Sequence, residues 1–438
     1  MLEFLTIFLG LISGPQMVEV SVSEQVEAVE LRLDGEAVAR LEKPPWRARV
    51  ELGDRLRPRV LEAVALVDGE EAHRVRQVLN LGVDRAQLRI SLGPQRGDGS
   101  RPGRLVWFTA DNVRPQRVGV ELDGQPLELR SGRAFVLPPG SYGSKGSDEV
   151  HVLAAQADFP GGLVAGATRL LGGAYTDRVV TQLTALPLRL EDGAELPSAQ
   201  GMGGWVQKDG EALTVAAADA PAAQIFVVRD VAGREPLAEL GKAFRRSQAR
   251  NLASLGEIGT VRLLDPRPEI ETLEDGRRRD RYALSQRLTQ GYGGLPHIVA
   301  SYRPEGEDKF FMRAGTRPQR LADAVAVAGL GAAGSQGPRA VLLILGSKQV
   351  DDSVRSPEAV REYLRALDVP LRVWSVGRRG APSPWGEAVD VSSRGRLIEA
   401  AGTLIDDVAR QRVLWLEGEH FLHQLELSPR ARGLRRLD

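Results

Sequence analysis

In this chain of 438 residues, the first spacing that suggests chemistry is His420-Phe421-Leu422-His423. Two imidazoles three apart on a helix share a face and could ligate one metal ion. The surrounding stretch, Val413 to Leu427, is closer to strand periodicity, which turns residues three apart to opposite faces, and no Glu stands between the two His as a general base. Surface or rim histidines are therefore expected, and a metal-dependent hydrolase using His420 and His423 stands as an alternative that bound zinc would reveal. Gly329-Leu330-Gly331-Ala332-Ala333-Gly334 spells the Gly-x-Gly-x-x-Gly fingerprint, which cradles pyrophosphate only where a strand turns into a helix. Here it follows Leu321 to Ala328, which reads as helix, and a strand from Ala340 comes too soon for a second helix. Nucleotide binding is not expected.

Arg96-Gly97-Asp98 is an integrin-type tripeptide inside a Gly/Pro/Ser-rich loop, Gly93 to Gly103, and reads as loop. The carboxylate pairs Asp351-Asp352 and Asp406-Asp407 fall in a loop and on a helix, where solvated or capping roles are usual. There is no Gly-x-Ser-x-Gly elbow and no Gly-x-x-x-x-Gly-Lys-Ser/Thr loop. With no cysteine and five histidines, thiolate, disulfide and Cys-ligated zinc chemistry are excluded and the supply of nucleophiles and bases is thin. Lys and Arg number 58 against 58 Asp and Glu, so no net field draws nucleic acid or an anionic membrane to the chain. Neither a catalytic role nor a cofactor is expected.

The elements that must position these residues change character along the chain. At ~100 to 200 residues per domain, the length predicts about two to four folded units. Phe4 to Ile12 is the only strongly apolar stretch, too short for the ~20 residues of a membrane-spanning helix. It resembles a secretory signal core, without a preceding Lys or Arg and without a clear cleavage site, and a first β-strand is the equal alternative for residues 1–15. Met17 to Ser23 and Val29 to Leu33 alternate apolar and polar residues, and Asp34-Gly35 follows as a hairpin turn. Further Asp-Gly pairs begin at Asp68, Asp98, Asp123, Asp192 and Asp209, with only Asp275 after residue 222. Residues 16–81 thus read as one β-sandwich, immunoglobulin-like in size, with Trp46 filling its core, and residues 82–221 as a second sandwich with a linker.

From residue 222 strands and helices alternate: Gln224 to Val228, Glu235 to Ser254, Thr260 to Leu264, Arg320 to Ala333, Ala340 to Leu345, Pro357 to Leu367 capped by Ser356, Leu371 to Val376, Arg394 to Arg410 capped by Ser392 or Ser393, and Val413 to Leu416. Such alternation predicts an open, doubly wound, Rossmann-type α/β sheet over residues 222–438. The run Arg339-Ala-Val-Leu-Leu-Ile-Leu-Gly346, followed by Ser356 to Val376, resembles the central strand, helix and next strand of a von Willebrand factor A-type domain, with Leu321 to Ala328 as the preceding helix. The whole chain is further similar to bacterial von Willebrand factor A-related proteins in which β-sandwich modules precede such a domain.

That resemblance implies a divalent cation held by Asp-x-Ser-x-Ser after the first strand, with a Thr and an Asp from other loops, leaving one coordination place for a partner's carboxylate. The matching segment here is Asp230-Val231-Ala232-Gly233-Arg234, which keeps the Asp, loses a hydroxyl at Ala232 and gains a cation at Arg234. Thr316 matches the Thr loop, and Gly346-Ser347 stands where Asp-Gly is expected. The degenerate site formed by Asp230, Arg234, Thr316 and Ser347 is expected to hold no metal, with Arg234 either pairing with Asp230 or with an acidic group of a partner. The sequence thus points to a non-catalytic binding or scaffolding protein of the bacterial envelope or exterior, with a cytoplasmic location as the alternative. Its partner is another protein, not nucleic acid and not a bilayer it spans; a self-assembling structural subunit is the second hypothesis.

Overall fold

Asp34-Gly35, Asp68-Gly69, Asp123-Gly124 and Asp209-Gly210 each take positive φ at both residues, between 50° and 89°, as a type I′ turn demands. Each joins two antiparallel strands. At Asp98-Gly99 and Asp192-Gly193 only the glycine is positive. The computed structural model describes residues 2–6, 8, 11–22, 26–81, 86–109, 114–140, 150–159, 164–172, 183–220, 223–246, 259–272, 278–282, 294–301, 318–335, 337–347, 350–377 and 383–437. Within it the chain divides into two units, 1–85 and 86–438, and is predominantly β, with several antiparallel sheets and one parallel region.

In the first unit the described strands are β1 (Leu2–Phe4), β2 (Pro15–Val22), β3 (Ala28–Leu33), β4 (Glu36–Leu41), β5 (Arg47–Glu51), β6 (Arg59–Val67) and β7 (Glu70–Leu79). Two antiparallel sheets, β1-β2-β5 and β4-β3-β6-β7, bury Val18, Val20, Leu31 and Leu61 in one core, with Trp46 half-buried against it. Within residues 1–15, read as a signal-like leader or a first strand, Leu2–Phe4 form β1, where Leu2 pairs with Val22 and is buried. Asn80 secures the segment between β1 and β2, accepting from Ile12 N at 2.7 Å and donating to Ile12 O at 2.8 Å and Arg57 O at 2.9 Å.

The second unit begins with another sandwich: β8 (Ala86–Leu92), β9 (Arg101–Thr109), β10 (Arg117–Leu122), β11 (Gln125–Pro126), β12 (Ala134–Leu137), β13 (Val150–Asp158) and β14 (Val164–Gly172). Sheets β12-β9-β8 and β11-β10-β13-β14 enclose Leu105, Phe135, Leu137 and Leu153. The chain continues through β15 (Leu183–Leu190), β16 (Val206–Lys208), β17 (Glu211–Ala212) and β18 (Val215–Asp219). These strands do not form a linker closing at 221. The C-terminal segment returns to them as β26 (Gln411–Glu417), β27 (Leu425–Leu427) and β28 (Leu434–Arg436), giving the antiparallel sheets β18-β26-β15-β28 and β17-β16-β27. The strand expected at Val413 to Leu416 therefore belongs here and not to the parallel region. Leu414 and Leu416 pack on one side with Leu186 and Leu188, while Val413 and Trp415 pack on the other with Val152 and Leu170. A central antiparallel strand covered on both faces has the same continuous apolar run as a parallel one, which is why the pattern misled.

The parallel region holds β19 (Ala223–Arg229), β20 (Gly259–Leu264), β23 (Arg339–Leu345), β24 (Leu371–Ser375) and β25 (Val389–Asp390), in the spatial order β20-β19-β23-β24-β25; β21 (Glu269–Thr272) and β22 (Arg278–Arg281) form a separate hairpin. The helices are α1 (Val231–Arg246), α2 (Gly294–Ser301), α3 (Leu321–Gly334), α4 (Pro357–Ala366) and α5 (Arg394–Ala409). Helices α1, α2 and α5 cover one face of the sheet, where Leu237, Val299 and Leu404 meet Val227, Leu342 and Trp374. On the other face, a Cβ at Gly331 would lie 2.9 Å from the Phe226 ring and one at Gly329 2.1 Å from Leu364. The glycines of the dinucleotide-like motif thus let α3 approach β19 and α4 closely. The expected caps are in place, Ser356 accepting from Ala359 N at 3.2 Å and Ser393 from Arg396 N at 3.5 Å. No described helix is long and apolar enough to cross a membrane.

Strand β18 ends on Asp219, whose carboxyl is pushed up to about 6 by burial, with Asp123 and Glu121 adding repulsion. A carboxyl whose pKa is raised on folding favours the folded state below its unfolded pKa and loses that contribution as pH rises through about 6. Asp219→Asn is therefore expected to be more stable than the parent at neutral pH by about 1–2 kcal/mol, with the two curves converging near about pH 4. Urea denaturation at a series of pH values checks this; a constant offset across the series contradicts it.

Candidate functional site

At the C-terminal end of the parallel sheet, the chain leaves β19 toward β20 on one side while β23 lies on the other. Ligands of open α/β sheets bind in the crevice such a reversal opens. Asp230 and Gly346, the residues that follow β19 and β23, meet there. Asp230 is 1% exposed, and its two carboxylate oxygens accept from Gly346 N (2.9 Å), Ala232 N (3.0 Å) and the Gln319 side-chain amide (3.1 Å). The backbones touch as well, since a Cβ at Gly346 would fall 2.4 Å from the Ala232 carbonyl carbon.

The entry to α3 is closed by the loop that follows β23. Asp351 accepts from Leu321 N at 2.8 Å and Ala322 N at 3.1 Å, and Ser353 Oγ accepts from Asp323 N at 3.1 Å. In return Asp323 accepts from Val354 N at 3.0 Å and Arg355 Nη1 at 2.8 Å. Asp351 and Ser353 satisfy free N–H groups at the helix start, and the Asp351 and Asp323 carboxylates oppose its positive end. One half of the Asp351-Asp352 pair thus caps the helix.

Arg234 reaches a carboxylate on another loop. Its guanidinium lies 2.9 Å from Asp265, which follows β20 and also binds Arg267 at 3.1 Å. The two guanidinium groups outweigh the cost of burial and hold the Asp265 carboxyl below its ordinary range. Nothing in the sequence points to Asp265 or Gln319; both lie far along the chain from Asp230, and neither has a motif around it. Ser347 is exposed beside Gly346, and Thr316 lies outside the described residues.

The cation that the von Willebrand factor A resemblance implies does not fit these residues. Such an ion needs oxygen donors. Ala232 and Gly346 supply N–H groups, the Gln319 amide nitrogen faces Asp230, and the oxygen of that amide accepts from Val231 N at 2.7 Å.

The two histidines are not a strand pair. Gly418, at φ 93°, ends β26, and His423 lies in a short 3-10 turn, Leu422–Gln424. His420 hydrogen-bonds the Glu417 carbonyl through Nε2 at 2.9 Å, and the His423 ring stacks on Phe421 with centroids 5.6 Å apart. Asp98 accepts from Ser100 N and Oγ inside a tight loop turn. Asp407 joins Arg189 at 2.7 Å to Arg372 at 3.0 Å. A crevice of about 340 Å³ between β24, β25 and α5 is lined by Trp374, Glu399 and the pairs Arg372–Asp407 and Arg396–Asp390, away from the loop cluster.

Solved β-sandwich modules resemble parts of the chain. The fibronectin(III)-like modules of Clostridium thermocellum CbhA align over 41% of this chain and 97% of theirs at 12% identity and a TM-score of 0.16. The central fibronectin-III array of RIM-binding protein aligns over 49% of this chain and 79% of its own at 12% identity and 0.19. A glycosyl hydrolase family 2 member from Bacteroides cellulosilyticus DSM 14838 aligns over 37% at 19% identity and 0.18, and the match spans a quarter (25%) of that chain. With TM-scores this low they carry no weight for function, and the sandwich description of residues 2–81 and 86–172 rests on the strand pairing itself. No family model and no curated protein matches the chain.

Proposed function

We propose that this is a non-catalytic protein-binding or scaffolding protein whose contact face is the loop cluster at the C-terminal end of a doubly wound, von Willebrand factor A-like sheet. The observation that carries this reading is that the cluster is rigidly built yet presents apolar side chains to solvent. Val350 is 64% exposed and Val354 80%, and Val231 is also exposed, while their backbones are fixed by Gln319 and Asp323. Apolar residues displayed from a braced surface suit a protein partner better than a small substrate. Asp230, Asp323 and Asp351 are all committed to backbone N–H groups, so none is poised for acid–base work.

Location outside the cytoplasm is part of this proposal and is supported by the architecture of β-sandwiches joined to such a domain. The second reading is a self-assembling subunit. Size-exclusion chromatography with light scattering separates the two, a discrete small species favouring the binder and large ordered assemblies the subunit. For the binding face, the Val350→Asp/Val354→Asp double variant is expected to retain at least tenfold less of the partner protein captured by the parent, with an unchanged melting temperature. Equal capture by the two proteins counts against the face.

A further inference from the structure

Gln319 is 7% exposed and its side chain joins three loops at once. The amide nitrogen donates to Asp230 Oδ1 at 3.1 Å and to Val350 O at 2.7 Å, and the amide oxygen accepts from Val231 N at 2.7 Å. Its own carbonyl accepts from Asp352 N at 2.8 Å. The partners belong to the loop after β19 and the loop after β23, and Gln319 itself belongs to the entry of α3.

We infer that the Gln319 amide is the loop crosslink at this end of the sheet, in the position where the resemblance implied a divalent cation, so that the face is assembled without metal. A cation joins loops by attracting oxygens from each. The amide joins them by donating twice and accepting once, which is why the surrounding groups are Asp230 Oδ1, a carbonyl and an N–H instead of a ring of oxygens. The close approach of Gly346 to Ala232 fits the same account, because the two loops pack directly on each other there. Ala232 needs no hydroxyl, and the Asp230 charge is met by three N–H donors.

The crosslink lies beneath the proposed partner surface but rests on these hydrogen bonds alone, so the free protein tests it whether or not a partner is captured. The parent is expected to melt at the same temperature in chelator and in millimolar calcium or magnesium. Gln319→Ala is expected to melt about 3–6 °C lower in either condition, with the Val231 amide exchanging about tenfold faster. Gln319→Glu sets a second carboxylate against Asp230; it is expected to melt below the parent at neutral pH and to recover when calcium or magnesium is added or the solution is acidified. A purely space-filling side chain would not create that cation response. The inference is overturned if the parent itself gains about 3 °C or more from either cation, or if Gln319→Ala leaves both the melting temperature and the Val231 exchange unchanged. Should Gln319→Glu fail to fold in any condition, those two measurements still decide.

Discussion

Arg339→Met is expected to lower the unfolding free energy of the second unit by about 3–5 kcal/mol, a large fraction of the ~5–15 kcal/mol that holds a typical domain folded. Arg339 opens β23 with a side chain 2% exposed, and its guanidinium donates to Ala333 O at 3.2 Å, Leu367 O at 2.8 Å and Asp368 O at 3.2 Å. Those carbonyls are the C-terminal ends of α3 and α4, where unpaired acceptors and the negative end of each helix favour a cation. Burial pushes the pKa of the group down to about 10, opposed by the charge of Asp368, so it stays protonated at neutral pH. Its backbone is held too, since Gln411 accepts from Arg339 N at 2.8 Å and donates to Arg339 O at 3.1 Å, fastening β23 to β26. Methionine fills the volume but takes the guanidinium donors away from the buried Leu367 and Asp368 carbonyls and from Ala333 O, which keeps the Ser335 N–H, and each buried acceptor left short costs about 1–3 kcal/mol before relaxation. Urea denaturation followed through the buried Trp374 and Trp415 reads the loss. A change below about 1 kcal/mol would mean that the carbonyls find other partners.

Asp158→Ala is expected to cost about 3–5 kcal/mol and Arg262→Met/Asp158→Leu markedly less. Arg262 on β20 and Asp158 on β13 form an ion pair buried between the second sandwich and the parallel sheet. The Arg262 guanidinium also lies 5.6 Å from the Phe226 ring centroid, and Gln156 donates to Asp158 at 2.8 Å while Gln224 reaches Gln156. Removing the carboxylate alone strands a guanidinium among apolar neighbours, whereas removing both charges takes away the desolvation cost together with the attraction. Equal losses in the single and double variants would show that Arg262 is solvated by other means.

Local chemistry is readable from the sequence where it needs only neighbouring residues. Asp34-Gly35 and Asp68-Gly69 take the predicted positive φ because the turn conformation is a property of the dipeptide. Ser356 caps its helix for the same reason. The pairing of β26 is hidden because burial on both faces erases the alternation that distinguishes antiparallel strands. Within the loop cluster, Asp230 stands out because a motif surrounds it. Its real partners do not: Gln319 lies 89 residues on, and what its amide bonds depends on where three loops meet. Arg234 is visible in the sequence as a charge at the edge of the cluster, but spacing does not lead to its partner Asp265.

If the loops around Asp230, Gln319 and Asp351 form a protein-binding face that needs no metal, partner capture must be indifferent to divalent cations and sensitive to the exposed valines. The most direct test is the amount of partner that the immobilised full chain retains in chelator compared with calcium, read beside the Val350→Asp/Val354→Asp variant. Equal retention by the parent in both conditions, lost in the variant, is the predicted result. Retention that disappears in chelator, or that survives unchanged in the variant, would contradict the account.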